Sequence, residues 1–125
     1  MIQYVIVCIG AGLGGGLRHF VNVTTARLWG VDFPYGTLTV NVLGSLLVGL
    51  LAGYFAFKVE APQHWRLFFI TGILGGFTTF SAFSLEVALM IERASFPSAI
   101  GYIACSVAGA VLSVFLGLFI MRATI

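Results

Sequence analysis

Charge is what this 125-residue chain most conspicuously lacks: six Lys or Arg and four Asp or Glu make 8% of it. A soluble domain of this size carries roughly 25% charged residues to cover its surface. With 60% hydrophobic residues and a mean hydropathy of +1.10, this chain could not cover itself in water. It is expected to lie in a lipid bilayer, as one domain, with no nucleic-acid partner. Cysteine is also scarce. Cys8 and Cys105 stand in apolar runs, where a buried thiol behaves as a small hydrophobe, and without metal-type spacing they say nothing about a disulfide framework. Acids are missing altogether before Asp32. A basic leader with a small-residue cleavage site is missing too, so the first run does not read as a signal peptide.

What is present is a set of uncharged apolar runs: Ile2 to Leu17, Tyr35 to Phe57, Leu67 to Leu85 and Ala94 to Met121. A helix rising about 1.5 Å per residue needs roughly 20 residues to cross a ~30 Å hydrocarbon layer. The last three runs meet this directly. The first does so if it continues past Arg18, whose side chain can snorkel to the interface. Four spans follow, at about residues 2–27, 35–57, 67–92 and 96–121, with both termini on one side.

Lys and Arg near the span ends orient such a chain. Arg18, Arg27 and Arg93 fall on one side, and Lys58, Arg66 and Arg122 on the other. Three against three gives no electrostatic reason to prefer one orientation. Either the tie is accidental, or copies insert both ways and pair as an antiparallel homodimer.

Residues 4–16, YVIVCIGAGLGGG, fit GxGxxG at Gly10, Gly12 and Gly15, and Asp32 follows where a ribose-binding acid would stand. No soluble βαβ sheet can be built from the remaining runs. The same glycines give small-xxx-small pairs, Gly10 with Gly14 and Gly12 with Gly16, which let helices approach closely in lipid. Close packing is the better reading.

Polar residues lie in stripes. Thr37, Asn41 and Ser45 share one face of the second span, and Asn41 is the only amide within the last three runs. It serves either to lock a neighbouring helix or to face a watery path. In the fourth span Tyr102, Ser106, Gly109, Ser113 and Gly117 share a face, again suiting either a helix contact or a hydroxyl-lined pore. No ionisable residue stands in the middle of spans two to four. Glu86 comes closest, one turn past the Phe-rich stretch, and suits either that path or the membrane interface. A pump or proton-coupled carrier usually needs such a residue, so a passive path is favoured.

The third span holds the least regular stretch, TGILGGFTTFSAFSLE at 71–86. Gly75 and Gly76 before two β-branched threonines are weak helix formers. A break there would free backbone carbonyls at membrane depth, which is tolerated where they line a cavity or ion site. An intact helix with packing glycines and a lipid-facing Phe stripe is the other reading.

GGFTTFSAFS at 75–84 resembles the signature of the Fluc fluoride channels, also called the CrcB family. GTLTVNVLGS at 36–45 is similar to their second-span motif, and GGGLRH at 14–19 to their Gly-rich first span ending in an arginine. The resemblance covers essentially the whole chain. It implies an all-α integral protein of the cytoplasmic (inner) membrane, four spans with a break in the third, paired as an antiparallel dual-topology homodimer. It implies passive export of fluoride and no catalytic residues. Phe80 and Phe83 would line the pore with Asn41, Ser81, Ser84, Tyr102 and Ser106, and Arg18 would sit in a vestibule. The carbonyls of Gly75 and Thr78 would hold a structural Na⁺ between two subunits. Ala82 and Ala110 stand where family members often carry a hydroxyl. The chief rival is a small multidrug-type proton-coupled cation exporter, which would need an acid in the first span.

Overall fold

The computed structural model describes residues 1–124, and those residues form helices and short connections without a strand. Four helical stretches are long and apolar enough to cross a membrane: Ile2–Trp29, Tyr35–Phe57, Gln63–Glu92 and Phe96–Ala123. The first and second are α1 and α2. The third is composite: α3 (Gln63–Arg66), a π-helical segment (Leu67–Leu74), α4 (Gly75–Phe77) and α5 (Phe80–Glu92). The fourth is α6 (Phe96–Ala123).

The helices outrun the apolar stretches that announce them. α1 continues to Trp29 and stops at Gly30, whose φ of 83° suits glycine best. The third stretch starts at Gln63, directly after Pro62, four residues before the apolar run. Apolar runs mark the hydrocarbon layer, whereas a helix keeps its hydrogen bonds until a stop signal arrives.

Two close pairings organise the bundle, α1 with the π segment and α4, and α2 with α6. Glycine makes both possible. A methyl group built on Gly10 would lie 2.9 Å from the Gly72 Cα, and one on Gly76 would lie 2.9 Å from the Ala11 Cα. Likewise a Cβ on Gly117 would stand 2.6 Å from the Leu46 carbonyl oxygen. These backbones touch, so dispersion replaces the hydrophobic drive that lipid withholds. Of the two small-residue pairs in α1, Gly10 and Gly14 are used in this way, while Gly12 and Gly16 face open space.

Two apolar clusters flank the middle of the third stretch. Val40, Leu74 and Phe77 form one, and Phe83, Met90, Ala99 and Tyr102 the other. The chain crosses from the first to the second through residues 78 and 79. Phe77 and Phe83 therefore anchor the two sides of a gap in the helix.

Candidate functional site

The gap is short and fully extended. Thr78 has φ −86° and ψ 158°, and Thr79 has φ −153° and ψ 121°. The break thus falls at the two threonines of the weak stretch, and not at the glycines before them. Gly75 is helical, at φ −62° and ψ −38°; Ile73, Gly76 and Phe77 around it are held in the close contact with α1. Two consecutive β-branched residues take the extended conformation instead.

Asn41 closes the gap from α2. Its Nδ2 donates to the Thr79 carbonyl at 2.9 Å, and its Oδ1 accepts from the Thr79 N–H at 2.8 Å. The side-chain amide thereby pairs with one residue as a neighbouring strand would, satisfying both of its backbone groups. One amide N–H of Asn41 is left over. Gly44, one turn along α2, has no side chain to obstruct this docking: a Cβ there would collide with the Thr78 methyl.

The Thr79 side chain starts α5. Its hydroxyl accepts from the Ala82 N–H at 3.1 Å and meets the Ser81 hydroxyl at 3.3 Å, an N-cap of the usual kind. The Thr78 hydroxyl turns back and donates to the Leu74 carbonyl at 3.0 Å.

A cavity of about 370 Å³ opens beside the break. Asn41, Ser45, Thr78, Thr79, Phe80, Phe83 and Ser106 line it, and Val107, Ala110, Val111 and Val114 complete its apolar wall. No charged side chain is among the lining residues. The Phe80 and Phe83 rings stand 5.4 Å apart, tilted 44° to each other. Phe83 is buried, but Phe80 is 76% exposed, so the cavity opens on the subunit's surface. Ser106 is only 6% exposed, and its hydroxyl has no partner among the described residues.

The structure therefore brings Asn41, Phe80, Phe83 and Ser106 to one cavity, with Thr78 at its edge. Other expected site residues stand apart from it. The exposed Ser84 hydroxyl donates to the Phe80 carbonyl at 3.0 Å, within its own helix. Ser81 lies by the cap but outside the cavity lining. Tyr102 is fully buried, with its ring 5.1 Å from Phe83 and 5.4 Å from Phe33. Its hydroxyl donates to Glu86 at 3.2 Å, which places the acid inside the bundle. Gly75 contributes backbone only, and Arg18 lines neither this cavity nor the one described next.

A second cavity, about 350 Å³, lies toward the connection between α1 and α2, lined by Asn22, Thr25, Tyr35, Thr37 and Glu86 among others. Asn22 is a further amide within a membrane helix; the sequence reading passed over it because it lies beyond the apolar run Ile2 to Leu17, though within the expected span. Thr79 was also missed as a site residue. A threonine just before a renewed helical pattern is the N-cap signal that marks it.

Comparison with known proteins identifies the family. The family model described as "CrcB-like protein, Camphor Resistance (CrcB)" matches residues 5–118. A "Fluoride-specific ion channel FluC" of Rhodopseudomonas palustris (strain BisB5) is 53% identical over 122 residues, 98% of each chain. The protein of that name from Granulibacter bethesdensis is 52% identical over 126 residues, spanning all of this chain and 98% of its own. One from Methylobacterium nodulans is 52% identical over 122 residues, 98% of each chain. With the model spanning nearly the whole length and relatives identical at half the positions, the chain belongs to the CrcB-like protein family.

Proposed function

We propose that this protein is a fluoride-selective channel of the cytoplasmic membrane, crossing it four times and letting fluoride leave down its gradient. The single observation that carries the reading is full-length likeness to proteins named as fluoride-specific ion channels. The site's chemistry supports it. Fluoride is small and strongly hydrated, so a path must replace water with donors. The leftover N–H of Asn41 and the Ser106 and Ser45 hydroxyls are available at the cavity. Phenyl edges carry partial positive charge, and Phe80 and Phe83 bring two rings to the same wall. An ammonium or guanidinium there would hold the ion too firmly, since conduction needs sites weak enough to leave. A proton-coupled cation exporter has no support: α1 contains no acid at all.

The working unit in this reading is an antiparallel homodimer. Phe80 is exposed beside Asn41, Thr78 and Thr79, and polar groups of this kind facing lipid are costly. A second copy covering that face removes the cost, and the balanced Lys and Arg count permits either insertion. A structural Na⁺ between the copies fits the backbone. Thr79, the residue four ahead of Gly75, gives its N–H to Asn41 instead. The carbonyls of Gly75 and Thr78 thus belong to a helix end with no following turn. Such oxygens suit a hard cation. When bound, Na⁺ would supply positive charge between the subunits.

A planar-bilayer recording under a fluoride gradient tests the passive path. Current should reverse at the fluoride equilibrium potential, and a reversal that follows protons or chloride would contradict the proposal.

A further inference from the structure

We infer that the N-terminus of α5 is itself an anion site, in which the Phe80 backbone N–H and the Ser106 hydroxyl hold the ion together. The inference rests on the fluoride reading above and identifies a backbone donor that reading leaves out. A helix end exposes four N–H groups without partners of their own. At α5 these belong to Thr79, Phe80, Ser81 and Ala82. Thr79 gives its N–H to Asn41 and Ala82 gives its N–H to the Thr79 hydroxyl. Among the described residues neither Phe80 nor Ser81 has an acceptor outside the helix, and the first turn offers none within it.

Of the two, Phe80 lines the cavity beside the break. Across the same cavity stands Ser106, 94% buried (6% exposed) with an unpartnered hydroxyl. A buried hydroxyl without a partner is uncommon and calls for one. An acceptor between these groups would satisfy both, and the lining carries no carboxylate to supply it. The 13 residues of α5 place the positive end of a helix dipole at the same point. A small anion fits this arrangement. A cation at this point would meet the Phe80 N–H and the positive end of the helix dipole.

The geometry also explains why two extended residues suffice. Ending one helix at Phe77 and starting the next at Phe80 sets carbonyls on one side of Thr78–Thr79 and N–H groups on the other. Asn41 occupies the remaining Thr79 pair, so the free donors of the second helix begin at Phe80.

The test replaces Phe80 by phenyllactic acid, an ester that keeps the ring, deletes that N–H and makes the Thr79 carbonyl a weaker acceptor toward Asn41 Nδ2. Amide exchange at Thr79, read on the same protein, must stay at the wild-type rate to show that the Asn41 pairing survives. Fluoride binding to the purified protein is read by ¹⁹F NMR titration. Binding should weaken about tenfold, the effect of losing one hydrogen bond to a charged partner. Ser106→Ala, which leaves the backbone intact, should weaken it in the same direction. Binding within twofold of the wild type in either variant, or no binding by the wild type, overturns the inference. Wild-type fluoride flux alongside unchanged binding in the ester would remove this site alone and leave the channel reading standing.

Discussion

Asn41 on α2 makes two hydrogen bonds to the single residue Thr79, at 2.9 Å through its Nδ2 and 2.8 Å through its Oδ1. That pairing keeps a helix open in the middle of a membrane span. Unpaired, the same N–H and carbonyl would cost about 1–3 kcal/mol each, enough to favour a closed helix or a collapsed one.

Asn41→Leu removes both bonds without adding charge. Amide exchange at Thr79 should accelerate and fluoride flux should fall by at least about tenfold. Exchange as slow as in the wild type would show that something else holds the break. Hydrogen-exchange mass spectrometry with flux on the same preparation decides it.

Phe80→Ile exchanges an exposed ring for an aliphatic group of smaller reach and no positive edge. Flux should drop about fivefold, as expected from an edge contact worth about 1 kcal/mol, with thermal stability near that of the wild type. Phe83→Ile differs because Phe83 is buried against Tyr102. It should lose flux and also about 1–3 kcal/mol of stability. Equal stability in the two variants would contradict their different burial.

Opposite signs are expected for two glycines of α1. Gly14→Ala drives a methyl group into the Ile73 carbonyl and to 2.8 Å from the Phe77 nitrogen. Backbone atoms there cannot give way, so about 1–3 kcal/mol of stability should be lost. Gly12→Ala meets nothing within 4 Å and should stabilise the helix by roughly 0.5–1 kcal/mol. Thermal unfolding in detergent compares them.

Tyr102→Phe removes the hydroxyl that donates to Glu86 at 3.2 Å while keeping the ring stack. A stability loss of about 1 kcal/mol is expected, with fluoride still preferred over chloride. Loss of selectivity would instead place the hydroxyl on the ion's route.

Much of this arrangement was legible in the sequence, and the reasons differ by element. The four helices follow from uninterrupted apolar length, because no other structure satisfies the backbone in lipid. Asn41 stood out because an amide within an apolar run demands a partner. That the partner is the Thr79 backbone was not readable, since spacing along one helix says nothing about its neighbour. The break was expected on propensity within Gly75, Gly76 and the two threonines after them, and it falls at the threonines while the glycines are helical. Tertiary contact between α1 and the third stretch overrides propensity there, and the extended residues are Thr78 and Thr79. The π-helical segment Leu67–Leu74 had no signal at all. Its sequence, LFFITGIL, suits an α-helix equally well, and only the Gly75 N–H reaching back to Ile70 reveals the wider turn. Tyr102 was read from the stripe of the fourth span and Ser84 from the family resemblance, and the hydroxyl of each donates within the subunit.

The most direct test of the central claim is efflux from liposomes holding the purified protein, followed with a fluoride electrode and repeated with chloride. The account predicts rapid release of fluoride while chloride stays inside. Fluoride retained as in protein-free vesicles, or chloride leaving as fast, would contradict it.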